Sequence, residues 1–257
     1  MNRALILMYH AVDEPRSAQE ARFCVPPREF ARQMHWLSAS DYRPVSLETI
    51  VDCVEARRPV PDNAVAVTFD DGFADFREHA LSILQQHDIR ATLFAVQGLL
   101  DGINEWMHRR GFPSRALLSA GALRELGSAG ITVGSHTLSH PRLTELSAGE
   151  AAREIRESKL RLEDLLGEPV RYFAYPYGLY DETVKRTVAE AGYRAACSTR
   201  PGFNRQDEDR FALRRIDVFG ADALWQFRQK LRFGTNDATR LQPLRYYAGR
   251  AAARIGL

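Results

Sequence analysis

The chain of 257 residues has little cysteine: Cys24, Cys53 and Cys197 are odd in number and far apart. That excludes a disulfide framework and a zinc knuckle, and fits buried free thiols in a reducing compartment. Long apolar runs are missing too, so no segment is long enough to span a bilayer. The opening MNRALILMYHAV joins a basic residue to a short apolar run, but Tyr9 and His10 interrupt it and no small-residue cleavage site follows. It is read as a buried first strand, not a signal peptide, and the expected location is the cytoplasm. Neither sign of charge dominates: 35 Lys and Arg against 33 Asp and Glu leave a net +2, which argues against a nucleic-acid partner. No G-x-G-x-x-G and no Walker A sequence occurs, which weakens nucleotide-binding readings.

What is present is a repeated grammar of amphipathic helix, short turn and apolar strand. EFARQMHWLSASDYRPVS ends its helix near Ser40–Asp41 and enters a strand at Tyr42, and HALSILQQHDIRATLFAV turns through His87–Asp88. LRELGSAGITVGS and VKRTVAEAGYRAACS place a glycine where a helix end favours a left-handed residue. Helical and strand periods therefore alternate, predicting an α/β fold with a mostly parallel sheet. An open doubly wound sheet and a closed barrel both fit, and the missing nucleotide motifs favour an irregular (β/α) barrel. Residues 1–222 read as one domain interrupted by a long polar loop, STRPGFNRQDEDR, and residues 223–257 as a basic helical extension packed on the barrel.

Barrel chemistry sits at the C-terminal ends of strands. After ALILMY comes His10, after AVAVTF come Asp70 and Asp71, after ITVGS come His136 and His140, and after RYFAYP come Tyr177 and Gly178. Two adjacent carboxylates repel, so a cation is expected near Asp70 and Asp71. A helical turn through HTLSH would point both imidazoles to one face. With one aspartate they make a His₂Asp site with room for water, the open coordination of a catalytic metal. The other aspartate is then free to take a proton from water at the metal. A glycosidase pair needs carboxyls about 5–10 Å apart across a sugar, which adjacent residues supply poorly. Arg171, before the strand of RYFAYPYG, is expected to pair with Asp70 and keep it ionised. The backbone N–H of Tyr177, at a sharp turn after Pro176, is expected to face an oxyanion.

TFDDG (Thr68–Gly72), HTLSH (His136–His140) and RYFAYPYG (Arg171–Gly178), in that order over roughly residues 60–220, resemble the motifs of the polysaccharide deacetylase family of carbohydrate esterases, built on the NodB homology domain. The resemblance implies an irregular (β/α) barrel that removes N-acetyl groups from amino sugars of a polymeric, oligomeric or lipid-linked saccharide, in cell-surface polysaccharide biosynthesis. It implies Asp71, His136 and His140 as ligands of one divalent metal, with zinc first and cobalt or nickel as alternatives. It also implies Asp70 as general base, Arg171 as the residue that orients it, and the backbone at Tyr177 as an oxyanion donor. Many members carry a general-acid histidine after the third motif, but this chain has no histidine beyond His140. A branch that looks circularly permuted has it in an N-terminal MYH sequence, which His10 fits, with Asp217 or Asp13 as its carboxylate partner. O-acetyl ester hydrolysis, deformylation, and glycan binding without turnover are the rival readings.

The basic tail adds one expectation. From Leu241 onward Leu, Tyr and Ile alternate with Arg245, Arg250 and Arg254, a pattern that suits either docking on the barrel or peripheral contact with an anionic membrane. The latter would place the enzyme at the inner membrane surface.

Overall fold

The computed structural model describes residues 2–108 and 110–242. In chain order these form β1 (Ala4–Tyr9), α1 (Pro27–Ala39), β2 (Arg43–Pro44), α2 (Leu47–Glu55), β3 (Ala64–Phe69), a π-helical turn (Phe76–Ala80) continuous with α3 (Leu81–Gln86), and β4 (Ala91–Ala95). There follow α4 (Glu105–His108), α5 (Ala120–Ser128), β5 (Thr132–Ser135), α6 (Ala148–Leu166), β6 (Tyr172–Ala174), α7 (Glu182–Glu190), β7 (Ala195–Cys197), β8 (Ile216–Asp217) and α8 (Leu224–Phe233).

The strands pair in parallel in the order β7-β6-β5-β4-β3-β1-β8, with β2 added on β3. The stretch leading into β8 also reaches β7: the Leu213 N–H donates to Ala196 O (2.9 Å) and the Ser198 N–H to Leu213 O (2.8 Å). Residues 213–217 thus join β7 to β1 and close an irregular barrel, the architecture expected from the alternating pattern. ALILMY and AVAVTF are buried along their whole length, so they read as unbroken apolar runs. Leu5, Leu7, Tyr9, Val65, Val67 and Phe69 face the outer helices, where they meet Phe30 and Met34 of α1. The intervening residues face inward, as the two-residue period of a strand requires. Each large apolar side chain so buried contributes about 1.5–3 kcal/mol.

Local signals set the helix ends. Ser46 and Ser119 cap α2 and α5, and Ser147 with Glu150 forms a capping box on α6. The left-handed glycines expected between helix and strand are present at Gly130 (φ 82°) and Gly192 (φ 86°), and the turn through His87–Asp88 is left-handed at Asp88 (φ 51°) as well. All three cysteines are buried free thiols. Helix α8 packs on α1 through Phe227 and Trp36, ring centroids 5.9 Å apart and nearly perpendicular. Among the described residues no helix is long and apolar enough to cross a membrane. The expectation for the basic tail falls on residues 243–257, outside the described residues.

Candidate active site

The answer to why two aspartates stand together lies in the backbone at the end of β3. The Asp70 N–H still bonds Tyr9 O (2.9 Å), continuing the extended strand, whereas Asp71 turns left-handed with φ 75°. Gly72 follows at φ 76°, a conformation that favours glycine. The chain thus swings between the two residues, and their carboxylates serve different partners.

Asp71 faces the histidines. Its Oδ1 lies 3.6 Å from His136 Nε2 and 3.4 Å from His140 Nε2, and one ligand atom from each of the three residues lies within 4.8 Å of the others. The Nδ1 of His136 meets the Ala174 carbonyl at 2.7 Å, so that nitrogen carries the proton and Nε2 presents its lone pair toward Asp71. Burial lowers the pKa of His136, and burial together with His136 lowers that of His140 further. Both rings are therefore neutral, the state a metal requires. Burial and the neighbouring Asp70 push the Asp71 carboxyl well above its ordinary range. A buried carboxyl group facing two neutral imidazoles is a donor set that fits one divalent metal and leaves coordination positions open.

The histidine pair is not on a helical turn. Thr137 (φ 71°) and His140 (φ 59°) are both left-handed, and the Thr137 hydroxyl accepts from the His140 N–H at 3.0 Å. Glu154 of α6 holds this tight loop, accepting from the Leu138 N–H (2.9 Å), the Ser139 N–H (3.0 Å) and the Ser139 hydroxyl (2.7 Å). Two backbone donors without helical partners need such an acceptor, which a helix-based reading of HTLSH misses. Glu154→Ala is expected to destabilise the fold by about 1–3 kcal/mol and to weaken metal binding about 10–100-fold. Zinc titration of the folded variant, followed by calorimetry, checks this, and unchanged affinity would remove the loop-holding role.

Asp70 is paired, but not with Arg171. Arg215, wholly buried, grips it in a two-point fork: Nη1 to Oδ1 at 2.6 Å and Nη2 to Oδ2 at 2.7 Å. Its Nε donates to Ser198 O at 2.9 Å and its Nη1 to the Thr68 hydroxyl at 3.3 Å, which fix the plane of the fork. Burial alone would raise the Asp70 carboxyl, but the guanidinium holds it down at about 2. Arg171 instead lies half exposed, 3.5 Å from Glu48. It precedes β6 and so sits at the strand's N-terminal end, while the site is built at the C-terminal end, where Ala174 meets His136. Arg215, in LRRID, enters β8 on the inward face and so reaches the site that Arg171 cannot.

His10 and Asp217 line the same cavity of about 310 Å³, together with Asp70, Asp71, His136, His140 and Tyr177. Met8 pairs with Asp217 in register, and strand alternation puts Met8, His10, Arg215 and Asp217 on the inward face. Two inward residues of the closing stretch 213–217 thus serve the two groups expected to handle protons: Arg215 grips Asp70, and Asp217 lines the same cavity as His10. Asp13, the other candidate partner, is engaged by Arg115 at 2.7 Å instead. That buried arginine also binds Glu20 (2.9 Å) and ties the loop after β1 to the loop around α4. The wall so formed carries Trp106, whose ring stacks on His140 with centroids 4.6 Å apart. Tyr177, left-handed at φ 58°, sets its ring edge-on to His140, also at 4.6 Å. Gly178 behind it has no room for a Cβ, which would fall 2.0 Å from the Thr199 hydroxyl oxygen.

A parallel barrel with a His₂Asp donor set and an arginine-paired carboxylate at the ends of its strands defines a metal-dependent hydrolase. The polysaccharide deacetylase family model matches residues 57–196, and the chain belongs to that family, whose deacetylases depend on a metal. YxkH of Bacillus subtilis (strain 168), named as a polysaccharide deacetylase, is 27% identical over 214 residues, covering 83% of this chain and 70% of that protein. The poly-beta-1,6-N-acetyl-D-glucosamine N-deacetylase of Staphylococcus epidermidis is 24% identical over 237 residues, 84% of this chain and 79% of that one. Among solved structures, the Streptococcus pyogenes deacetylase PplD in complex with acetate is similar with a TM-score of 0.76 at 26% identity, over 89% of this chain and 98% of that chain.

Proposed function

We propose that the protein is a zinc-dependent N-deacetylase acting on N-acetylhexosamine units of a saccharide. The observation that carries this reading is the division of labour at Asp70 and Asp71: one buried carboxylate is locked to a guanidinium, the other faces two neutral imidazoles. Asp71, His136 and His140 would hold the cation. The names of the Staphylococcus relatives favour a poly-N-acetylglucosamine substrate, and the cavity, near the lower end of the usual range of about 300–1,000 Å³, suits one sugar residue and its acetamido group.

On this reading Asp70 is the general base and takes a proton from the attacking water. A carboxylate held at about 2 is a feeble base toward free water, so it relies on what a divalent cation supplies when bound: a more acidic water and a polarised amide carbonyl. Arg215 keeps Asp70 ionised and aimed. His10 gives a proton to the departing nitrogen, and Asp217 stabilises the imidazolium. The turn at Tyr177 offers a backbone N–H to the developing oxyanion, while the Tyr177 and Trp106 rings keep water from the His140 side of the site.

Acetate release from N-acetylglucosamine oligomers, lipid-linked amino sugars and their O-acetyl counterparts tests the proposal. Chelation is expected to abolish release from the amides, and zinc is expected to restore it. Release that survives complete metal removal would sink the metal-dependent mechanism. Release from O-acetyl esters alone would replace the amidase by an esterase.

A further inference from the structure

Asp217 stands on the barrel, but its orientation comes from residues beyond it. Asn236, in the turn after α8, meets Asp217 twice: its Oδ1 accepts the Asp217 N–H at 2.9 Å, and its Nδ2 donates to Asp217 Oδ2 at 2.8 Å. Lys230 of α8 donates from Nζ to the Asp217 carbonyl at 2.8 Å and pairs with Asp222. That lysine is only 1% exposed, so its charge has been taken out of water to make these contacts. Backbone and side chain of Asp217 are therefore both held from the same short segment, residues 230–236. The amide thus fixes Oδ2 and, with it, the plane of the carboxylate that shares the cavity with His10.

We propose that Asn236 is a positioning residue for the Asp217–His10 pair, so that α8 and the turn after it belong to the proton-delivery machinery. What His10 does rests on the deacetylase reading above; the coupling of Asn236 to His10 does not. Burial disfavours the imidazolium of His10; Asp70 and Asp217 favour it, while Arg215 and His136 oppose it. Around Asp217 stand His10, Arg215, Lys230 and Arg22. Among these groups Asp217 is the anion whose aim Asn236 controls.

The test is a cycle of Asn236→Ala, Asp217→Asn and the double variant in the metal-loaded full chain. Asn236→Ala is expected to lower kcat roughly 10-fold, a part of the roughly 10²–10⁴ that a placed proton donor contributes, with KM nearly unchanged. The alkaline limb of kcat should move to lower pH, because the imidazolium loses its aligned anion. Asp217→Asn should lower kcat further, and the double variant should be no worse than Asp217→Asn alone, since the amide then has no carboxylate to aim. Proton NMR titration of the His10 ring should follow the same cycle, its midpoint falling in Asn236→Ala. Additive losses, or an unchanged His10 midpoint in Asn236→Ala, would overturn the proposal. If the wild type releases acetate from no substrate, the functional reading fails while the NMR cycle still decides the coupling. Should Asn236→Ala fail to fold, Asn236→Ser, which keeps a hydroxyl acceptor for the Asp217 N–H, carries the same cycle.

Discussion

Replacing Arg215 with methionine is expected to lower acetate release by about 10²–10⁴-fold, the whole contribution of a well-placed general base, and to destabilise the fold by about 3–5 kcal/mol. Both effects have one origin. Asp70 and Arg215 are buried together, and removing the guanidinium leaves a carboxylate without compensation in the barrel. Asp70 then takes up a proton and ceases to be a base. The sign of the pH dependence reverses with it. In the wild type the folded-state value lies near 2 against an ordinary 3.8. The pair thus contributes about 2 kcal/mol, fully present above pH ~4 and lost as the pH falls toward ~2. In Arg215→Met the folded value rises above the unfolded one, so protonation of Asp70 stabilises the fold and the difference between variant and wild type narrows on acidification. Urea denaturation of both proteins across that range measures it. Arg171→Met is the matched control: a half-exposed arginine beside Glu48 should change stability by no more than about 0.5 kcal/mol and leave turnover intact. If Arg171→Met and Arg215→Met behaved alike, the assignment of the fork would be wrong.

Asp70→Asn is expected to reduce kcat by about 10²–10⁴-fold while metal content stays at the wild-type level. The amide keeps one acceptor for Arg215 but turns its NH₂ toward the other guanidinium N–H, so some stability is lost as well. Activity is therefore compared at a temperature where both proteins are folded. Asp71→Asn separates the two carboxylates, since it removes a donor from the His₂Asp set and should lower zinc content. Equal loss of metal in both variants would mean that the aspartates share one role.

The candidate ligands Asp71, His136 and His140 come from short contiguous motifs at strand ends, where the spacing of residue types already carries the chemistry. His10 was legible for the same reason, as the residue directly after β1. Arg215 was not, because pairing it with Asp70 is a contact between residues 145 apart in the chain, and nothing local in LRRID distinguishes the inward arginine from Arg214, which binds Glu208. Glu154 was hidden in the middle of an amphipathic helix for the same reason. The family match ends at residue 196, before Arg215, Asp217 and Asn236.

The sequence alone determined the α/β alternation, the direction of the chain and the set of metal-capable side chains, because periodicity, helix caps and strand-end motifs act over a few residues. Only the tertiary structure decided which arginine pairs with Asp70, which carboxylate shares a cavity with His10, and that HTLSH is a left-handed loop pinned from α6. Those choices rest on barrel closure by residues 213–217, which brings β8 beside β1. A parallel sheet sets such neighbours by long-range pairing and burial, and a buried charge takes the counter-ion that closure delivers to it.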